Sequence, residues 1–292
     1  MKTLAPDDWR AREDEHHARV DALLAGHLAR RQRGEKHPVE DFLWVYYAHR
    51  PGQLRRWHPG PGVVLGGDVD PRGRGTWRFY ATSGDPAGTR LDVAAFLQVR
   101  GEFVAWVRDL LAATATRPPT YSCFGLHEWA MVYGLPDGAR RHEQLPLRLG
   151  REATDEVVRA SSIRCSHFDA YRFFTPGAEP LNELRPTREG QPDQEQPGCL
   201  HATMDLYKWA FKLSPGVPSE LVLDCLDLAW EARRLDMAAS PYDVTAFGIE
   251  SVAVETAQGR ADYVARQRLL VERGQALRAR VVNACNTLLT SA

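Results

Sequence analysis

The sequence predicts a mainly α-helical protein, a single helical-bundle-like domain over residues 1–292 with a small glycine-rich β or irregular insertion at 62–90. Three observations carry this. Apolar residues recur at helical spacing through long stretches, the breaks between them fall at Pro and Gly clusters, and only 62–90 is too rich in glycine for helix. With 292 residues and 43% apolar content, the chain also holds enough for a sizeable core.

Taken in order, Pro6 to Arg33 is charged, with Val20, Leu23, Leu24 and Leu28 at helical spacing. It predicts an amphipathic helix on which His16, His17 and His27 belong to a solvated polar face. Pro38-Val-Glu-Asp-Phe-Leu-Trp-Val-Tyr-Tyr-Ala-His49 has a start of Pro with acids and then an apolar run, which predicts a buried helix. It stops near Arg50-Pro51-Gly52, where prolines and glycines impose an ordered loop bearing Arg50, Arg55, Arg56 and His58. Gly62, Gly66, Gly67, Gly73, Gly75, Gly84 and Gly88 then break up Val63-Val-Leu65 and Trp77-Arg-Phe-Tyr80 into hairpin or irregular surface structure. Leu91 to Thr116 predicts a core helix ending before Arg117-Pro-Pro119. Ser219 to Met237 follows Pro218 with a serine suited to an N-cap, and the basic, amphipathic Gly259 to Leu289 predicts a last helix.

Lys plus Arg, 37, nearly balances Asp plus Glu, 38, so no global basic footprint of a nucleic-acid binder exists, although a local patch stays open. There is no run of about 18 apolar residues, and Met1 to Arg12 is polar; a soluble, cytoplasmic protein without membrane partners is expected. Five cysteines, an odd number, argue for reduced thiols. Neither a phosphate-loop spacing nor a dinucleotide fingerprint occurs, so no nucleotide cofactor is expected.

The stretch 121–215 is where chemistry concentrates. Three segments each place a cysteine shortly before a histidine: Tyr121-Ser-Cys-Phe-Gly-Leu-His-Glu-Trp-Ala-Met-Val-Tyr133, Ile163-Arg-Cys-Ser-His-Phe-Asp-Ala-Tyr-Arg-Phe-Phe174 and Gln196-Pro-Gly-Cys-Leu-His-Ala-Thr-Met-Asp-Leu-Tyr-Lys-Trp-Ala-Phe211. Polar groups in apolar surroundings are costly unless paired or bound to a metal. His127, His167 and His201 are candidate metal ligands, with Glu128, Asp169, Asp205 and Lys208 as candidate catalytic groups. This donor set suits a divalent Fe, Mn or Zn ion in a helical bundle. On a helix His201, Asp205 and Lys208 share a face, whereas His127 and Glu128 diverge by about 100°, so at most one of the two should point inward. His167 and Asp169 would part on a helix and share a face on a strand. Arg164, Arg172, Tyr171, Trp129 and Tyr207 are candidate contacts for a small polar substrate.

Structural alternatives stand beside each of these. A single histidine is most simply a hydrogen-bonded core residue. Cys123, Cys165 and Cys199 read as small buried packing residues, and the aromatic stripe that includes Trp129, Tyr171 and Tyr207 reads as core. Asp236 and Asp243 sit where capping and turn formation explain them. There is also no H-E-x-x-H, no C-x-x-C and no Glu-x-x-His pair.

The phrases Pro38-Val-Glu-Asp-Phe-Leu, Gln53-Leu-Arg-Arg-Trp-His-Pro-Gly-Pro-Gly62, Cys123 to Tyr133, Arg164 to Phe174 and Gln196-Pro-Gly-Cys-Leu-His201 resemble an actinobacterial family often labelled 3-methyladenine DNA glycosylase. The resemblance covers most of the chain. It implies excision of a flipped, alkylated base, with a carboxylate such as Asp205 or Glu128 supporting water attack at the sugar. The chain departs from the helical glycosylase hairpin: Leu213-Ser-Pro-Gly-Val-Pro-Ser219 puts Pro218 where that hairpin needs a backbone amide, and it reads instead as a helix-connecting turn. Three functions follow: a metal-dependent enzyme acting oxidatively or hydrolytically on a small polar substrate, which the residues favour; a DNA-base N-glycosylase; and a non-catalytic small-molecule binding protein.

Overall fold

The long apolar periodicities become long helices, and the mainly helical fold carries one small sheet. A computed structural model describes residues 1–68, 73–136, 138–140, 142 and 144–291. Residues 69–72 of the glycine-rich stretch lie outside the described ones.

The chain opens with β1 (Lys2–Leu4), α1 (Pro6–Gln32), α2 (Phe42–Tyr46) and α3 (Pro51–Leu54), then β2 (Val63–Gly66), β3 (Tyr80–Gly84) and β4 (Ala87–Leu91). Next come α4 (Val93–Thr116), α5 (Leu126–Ala130), α6 (Gly150–Ala160), α7 (Phe168–Tyr171) and α8 (Gln191–Gln194). The chain closes with α9 (Leu200–Leu213), α10 (Ser219–Ala238) and α11 (Ala257–Thr290). Among the described residues, no helix is long and apolar enough to cross a membrane. The described chain divides into two compact units, one of Met1–Ala112, Leu206–Leu226 and Leu277–Ala292, the other of Ala113–Asp205 and Asp227–Ala276.

The first unit holds the sheet, in the order β1-β2-β4-β3. β3 and β4 form a hairpin, β2 adds antiparallel to β4, and β1 pairs parallel to β2, an N-terminal strand that too few residues announce. Leu4, Trp9, Trp57 and Leu65 pack together, with Trp9 Nε1 donating to Gly66 O at 3.1 Å. Arg74 is buried against the Trp9, Trp57 and Trp77 rings, 5.0–5.6 Å from their centroids, and is neutralised by Glu13 and Asp68.

Three expectations fail in this unit. The buried helix predicted from Pro38 to His49 shrinks to Phe42–Tyr46. Asp41 turns its carboxylate onto the His37 amide and the Arg30 and His27 side chains, and Ala48 adopts a left-handed φ of 51°, which ends the helix. His16 and His27 do not form a solvated face either: buried His16 meets Leu54 O at 2.9 Å, and His27 meets Asp41 at 3.0 Å. Ser219 also begins α10 rather than capping it, and its hydroxyl accepts from the His58 amide.

In the second unit short helices and turns are fixed by side-chain clamps. Trp129 is fully buried and donates from Nε1 to Ala239 O at 2.8 Å, which ties α5 to the end of α10. Buried Asn182 mimics a strand partner, accepting from Cys165 N at 2.7 Å and donating to Cys165 O at 3.0 Å and Leu184 O at 2.7 Å. Gln196 does the same between segments, accepting from Thr120 N at 2.9 Å and Gly198 N at 2.7 Å. A Cβ at Gly198 would stand 2.3 Å from Thr120 O, so only glycine permits this approach.

Candidate metal centre

The first histidine reaches its place through a tight turn. Cys123 O accepts from Leu126 N at 2.8 Å, with Phe124 (φ 49°) and Gly125 (φ 73°) both left-handed between them, the signature of a type I′ turn. The turn delivers α5, a five-residue helix buried along its whole length. Because protein surrounds it on all sides, both His127 and Glu128 face protein, contrary to the expectation that only one would.

His127 Nε2 lies 2.8 Å from Asp236 Oδ1, which accepts its proton, and Nδ1 lies 3.4 Å from Cys123 Sγ. Asp236 is fully buried on α10, one turn beyond Arg233. Arg233 Nη1 donates to Asp236 Oδ2 at 2.8 Å and to Glu128 Oε1 at 2.7 Å, which fixes both carboxylates. The capping role expected for Asp236 is therefore wrong: the helix presents it inward, at i,i+3 from its arginine. Asp243 does serve a turn, its carboxylate accepting from Thr245 N at 3.0 Å.

His201, in the first turn of α9, stands edge-on to His127 with ring centroids 4.6 Å apart. His127, His201 and Asp236 each offer a ligand atom, all within 4.8 Å of one another. His201 Nδ1 is buried and has no hydrogen-bond partner. A second group adjoins through the same ring, since His167 lies 5.4 Å from His201 by centroids. His167, Glu195 and Asp205 also bring ligand atoms within 4.8 Å, with His167 Nε2 at 3.4 Å from Asp205 Oδ2 and 3.6 Å from Glu195 Oε2. Gln191 Nε2 orients Glu195 by donating to Oε2 at 2.7 Å. The chain thus holds two buried His/carboxylate groups with the donor types and spacing for a metal ion.

Charge is finely set in the first group. Burial opposes protonation of His127, but Asp236 and Cys123 outweigh it and raise its pKa well above the ordinary value. Burial pushes Asp236 up, yet His127 more than compensates and holds it below the usual carboxylate range. Hydrogen bonding from Cys165, then the charge of His127, draws the Cys123 thiol well down against its burial. Cys165 is pushed up by its contact with Cys123 and by burial, and Cys199 is pushed up chiefly by burial. Burial and the neighbouring His127 hold His201 well below its ordinary value, so it is neutral and available as a ligand.

The structure brings together His127, His167, His201, Glu128 and Asp205 of the residues singled out in the sequence. Asp169 is in neither group; it pairs with Arg172 at 3.1 Å and Arg188 at 3.6 Å. Tyr171 is half-buried beside Phe174, and Trp129 serves packing. Tyr207 and Lys208 follow on α9 and fall within the first unit. Arg164 is exposed, paired with Glu183 at 3.0 Å, and lines a small cavity together with Cys123, His127, Cys165 and Cys199. Cys123, Cys165 and Cys199 all line this cavity. Sequence reasoning missed Asp236, Arg233 and Glu195; the one available signal was an Arg and an Asp three apart in the apolar run from Leu226 to Ala239. Glu195 hides in the polar run Gln191 to Gln196.

No family model matches this chain, and no match is found among curated proteins or solved structures.

Proposed function

We propose that the chain is a metal-dependent enzyme whose centre is built on His127, His201 and Asp236, with His167, Glu195 and Asp205 as an adjoining second set. One observation carries the reading: three histidines and three carboxylates are buried in two groups that meet at His201, whose Nδ1 has no protein partner. Two histidines with one carboxylate suit non-haem iron or manganese, and with water they suit hydrolytic zinc. A cation would take the place of the proton between His127 and Asp236, and binding would release that proton. The chain's own part is to hold geometry: Arg233 aligns Asp236 and Glu128, Cys123 fixes the far nitrogen of His127, and Arg164 stands at the cavity for a small polar substrate. With such a substrate the reaction is oxidative or hydrolytic.

Elemental analysis of protein purified from its native host tests this, with stoichiometric Fe, Mn or Zn expected. His201→Ala and Asp236→Asn should abolish metal retention, while Glu128→Gln, one shell out, should weaken it about 10–100-fold. Asp169→Asn, outside both groups, should retain metal. Native protein free of metal, with stability unchanged by added ions, would overturn the reading. Release of free alkylated base from duplex DNA, unaffected by His201→Ala, would favour instead the glycosylase activity that the family resemblance implies.

A further inference from the structure

We propose that a groove between α10 and α11 binds a small amphipathic carboxylate of the medium-chain fatty-acid class, its tail on an apolar floor and its head among arginines. None of the candidate metal ligands lines this groove, so the site is independent of the metal reading. It encloses about 410 Å³ and lies wholly within the second unit. That volume falls in the range of roughly 300–1,000 Å³ typical of small-molecule sites.

The two helices build their walls in the same way. On α10 the lining residues are Glu231, Arg234, Leu235 and Ala238, whose i, i+3, i+4, i+7 spacing keeps them on one face. α11 repeats that spacing with Arg266, Leu269, Leu270 and Arg273. Each wall is about 10 Å long at the helical rise per residue. The loop 248–250 supplies the third side. Leu235, Ala238, Ile249 and Leu270 are buried and make the floor, whereas Leu269 is 64% exposed beside them. A hydrocarbon tail laid on the floor would take this apolar surface from water.

The charged groups suit an anionic head. Three guanidiniums line the groove from both helices, those of Arg234, Arg266 and Arg273, against two carboxylates, Glu231 and Glu250. The lining is therefore one positive charge in excess, which matches a single negative head. Arg273 donates to Glu231 at 2.7 Å, and Arg266 pairs with Asp262 at 2.8 Å, an acid outside the lining. Both pairs are about half-exposed, and such pairs are worth little in water. A ligand carboxylate can replace Glu231 or Asp262 and meet the guanidinium fork with both oxygens.

Calorimetric titration of the full-length protein with decanoate below its micelle concentration tests the site. One molecule should bind with a Kd on the order of 0.1 mM. In methyl NMR the Leu235, Ile249, Leu269 and Leu270 signals should shift together along the titration. Octanoate, two methylenes shorter, should bind roughly tenfold more weakly. Decyltrimethylammonium, with a similar tail and the opposite charge, should bind at least about tenfold more weakly than decanoate. Arg234 and Leu269 are exposed, so Arg234→Glu and Leu269→Glu should keep the ligand-free Tm while weakening decanoate at least about tenfold. Arg151→Glu, at an exposed position of α6 outside the groove, should bind as the wild type does. No saturable binding of decanoate below about 1 mM overturns the proposal. So does unchanged affinity in Leu269→Glu, which would put the ligand elsewhere, and so does equal binding of decyltrimethylammonium, which would leave the arginines without a role.

Discussion

His49 sits where a titratable ring is costly to protonate. It stacks on Phe211 with centroids 3.7 Å apart and meets the Tyr207 ring edge-on at 5.0 Å, and neither ring nitrogen has a hydrogen-bond partner. Burial first, then Lys212 and Lys208, lowers its pKa from 6.5 to about 4. The folded value lies below the unfolded one, so between those pH values the unfolded chain binds the extra proton and stability rises with pH. The stabilising difference is complete above about pH 6.5 and is lost as pH falls towards 4, up to roughly 3 kcal/mol. Denaturant midpoints at pH 7 and pH 4.5 should therefore differ in the wild type, and His49→Phe, which keeps the stack, should shrink that difference. At the same scale the histidines of the candidate metal centre and Asp205 were legible in the sequence, whereas Asp236 and Glu195 were not. His127, His167 and His201 stand out because an ionisable ring in an apolar run needs a cause. Asp236 and Glu195 look like any acid at a helix end or in a polar turn until the fold buries them.

Elements differ in how much of themselves they announce. α1, α4, α10 and α11 follow from periodicity because many apolar positions repeat at one interval. The short elements and turns are held by single contacts, such as Asp41 on the His37 amide before α2 or Asn182 on Cys165, which no periodic signal carries. On α9 the i,i+4 spacing leaves His201 and Asp205 both buried, each in a different one of the two adjoining groups. The Phe124-Gly125 turn decides where α5 lies. Gly125→Ala would put a Cβ 3.1 Å from Ala239 Cβ at a φ of 73°. It should cost about 1–2 kcal/mol from backbone conformation alone, measurable as a lower denaturant midpoint. On the metal reading, the same variant should also lose metal, because His127 is two residues on.

For the whole chain, the expected mainly helical fold with a small sheet is the fold observed. On the metal reading its stability is linked to an ion: at 100 times the Kd, binding contributes about 2.7 kcal/mol. Stripping with a chelator should then lower Tm by roughly 5 °C or more, and the added ion should restore it, as scanning calorimetry would show. Asp236→Asn should have a low Tm that responds to neither treatment. The sequence by itself determined the long helices and the glycine-rich stretch, and marked the region where polar chemistry gathers, because these depend on local periodicity and composition. The tertiary structure alone decided which acids join which histidines, since His127 and Asp236 are 109 residues apart. It also decided that three scattered cysteines line one cavity. Such pairings are set by packing and by the cost of leaving a buried charge alone, and neither leaves a mark at fixed spacing along a chain.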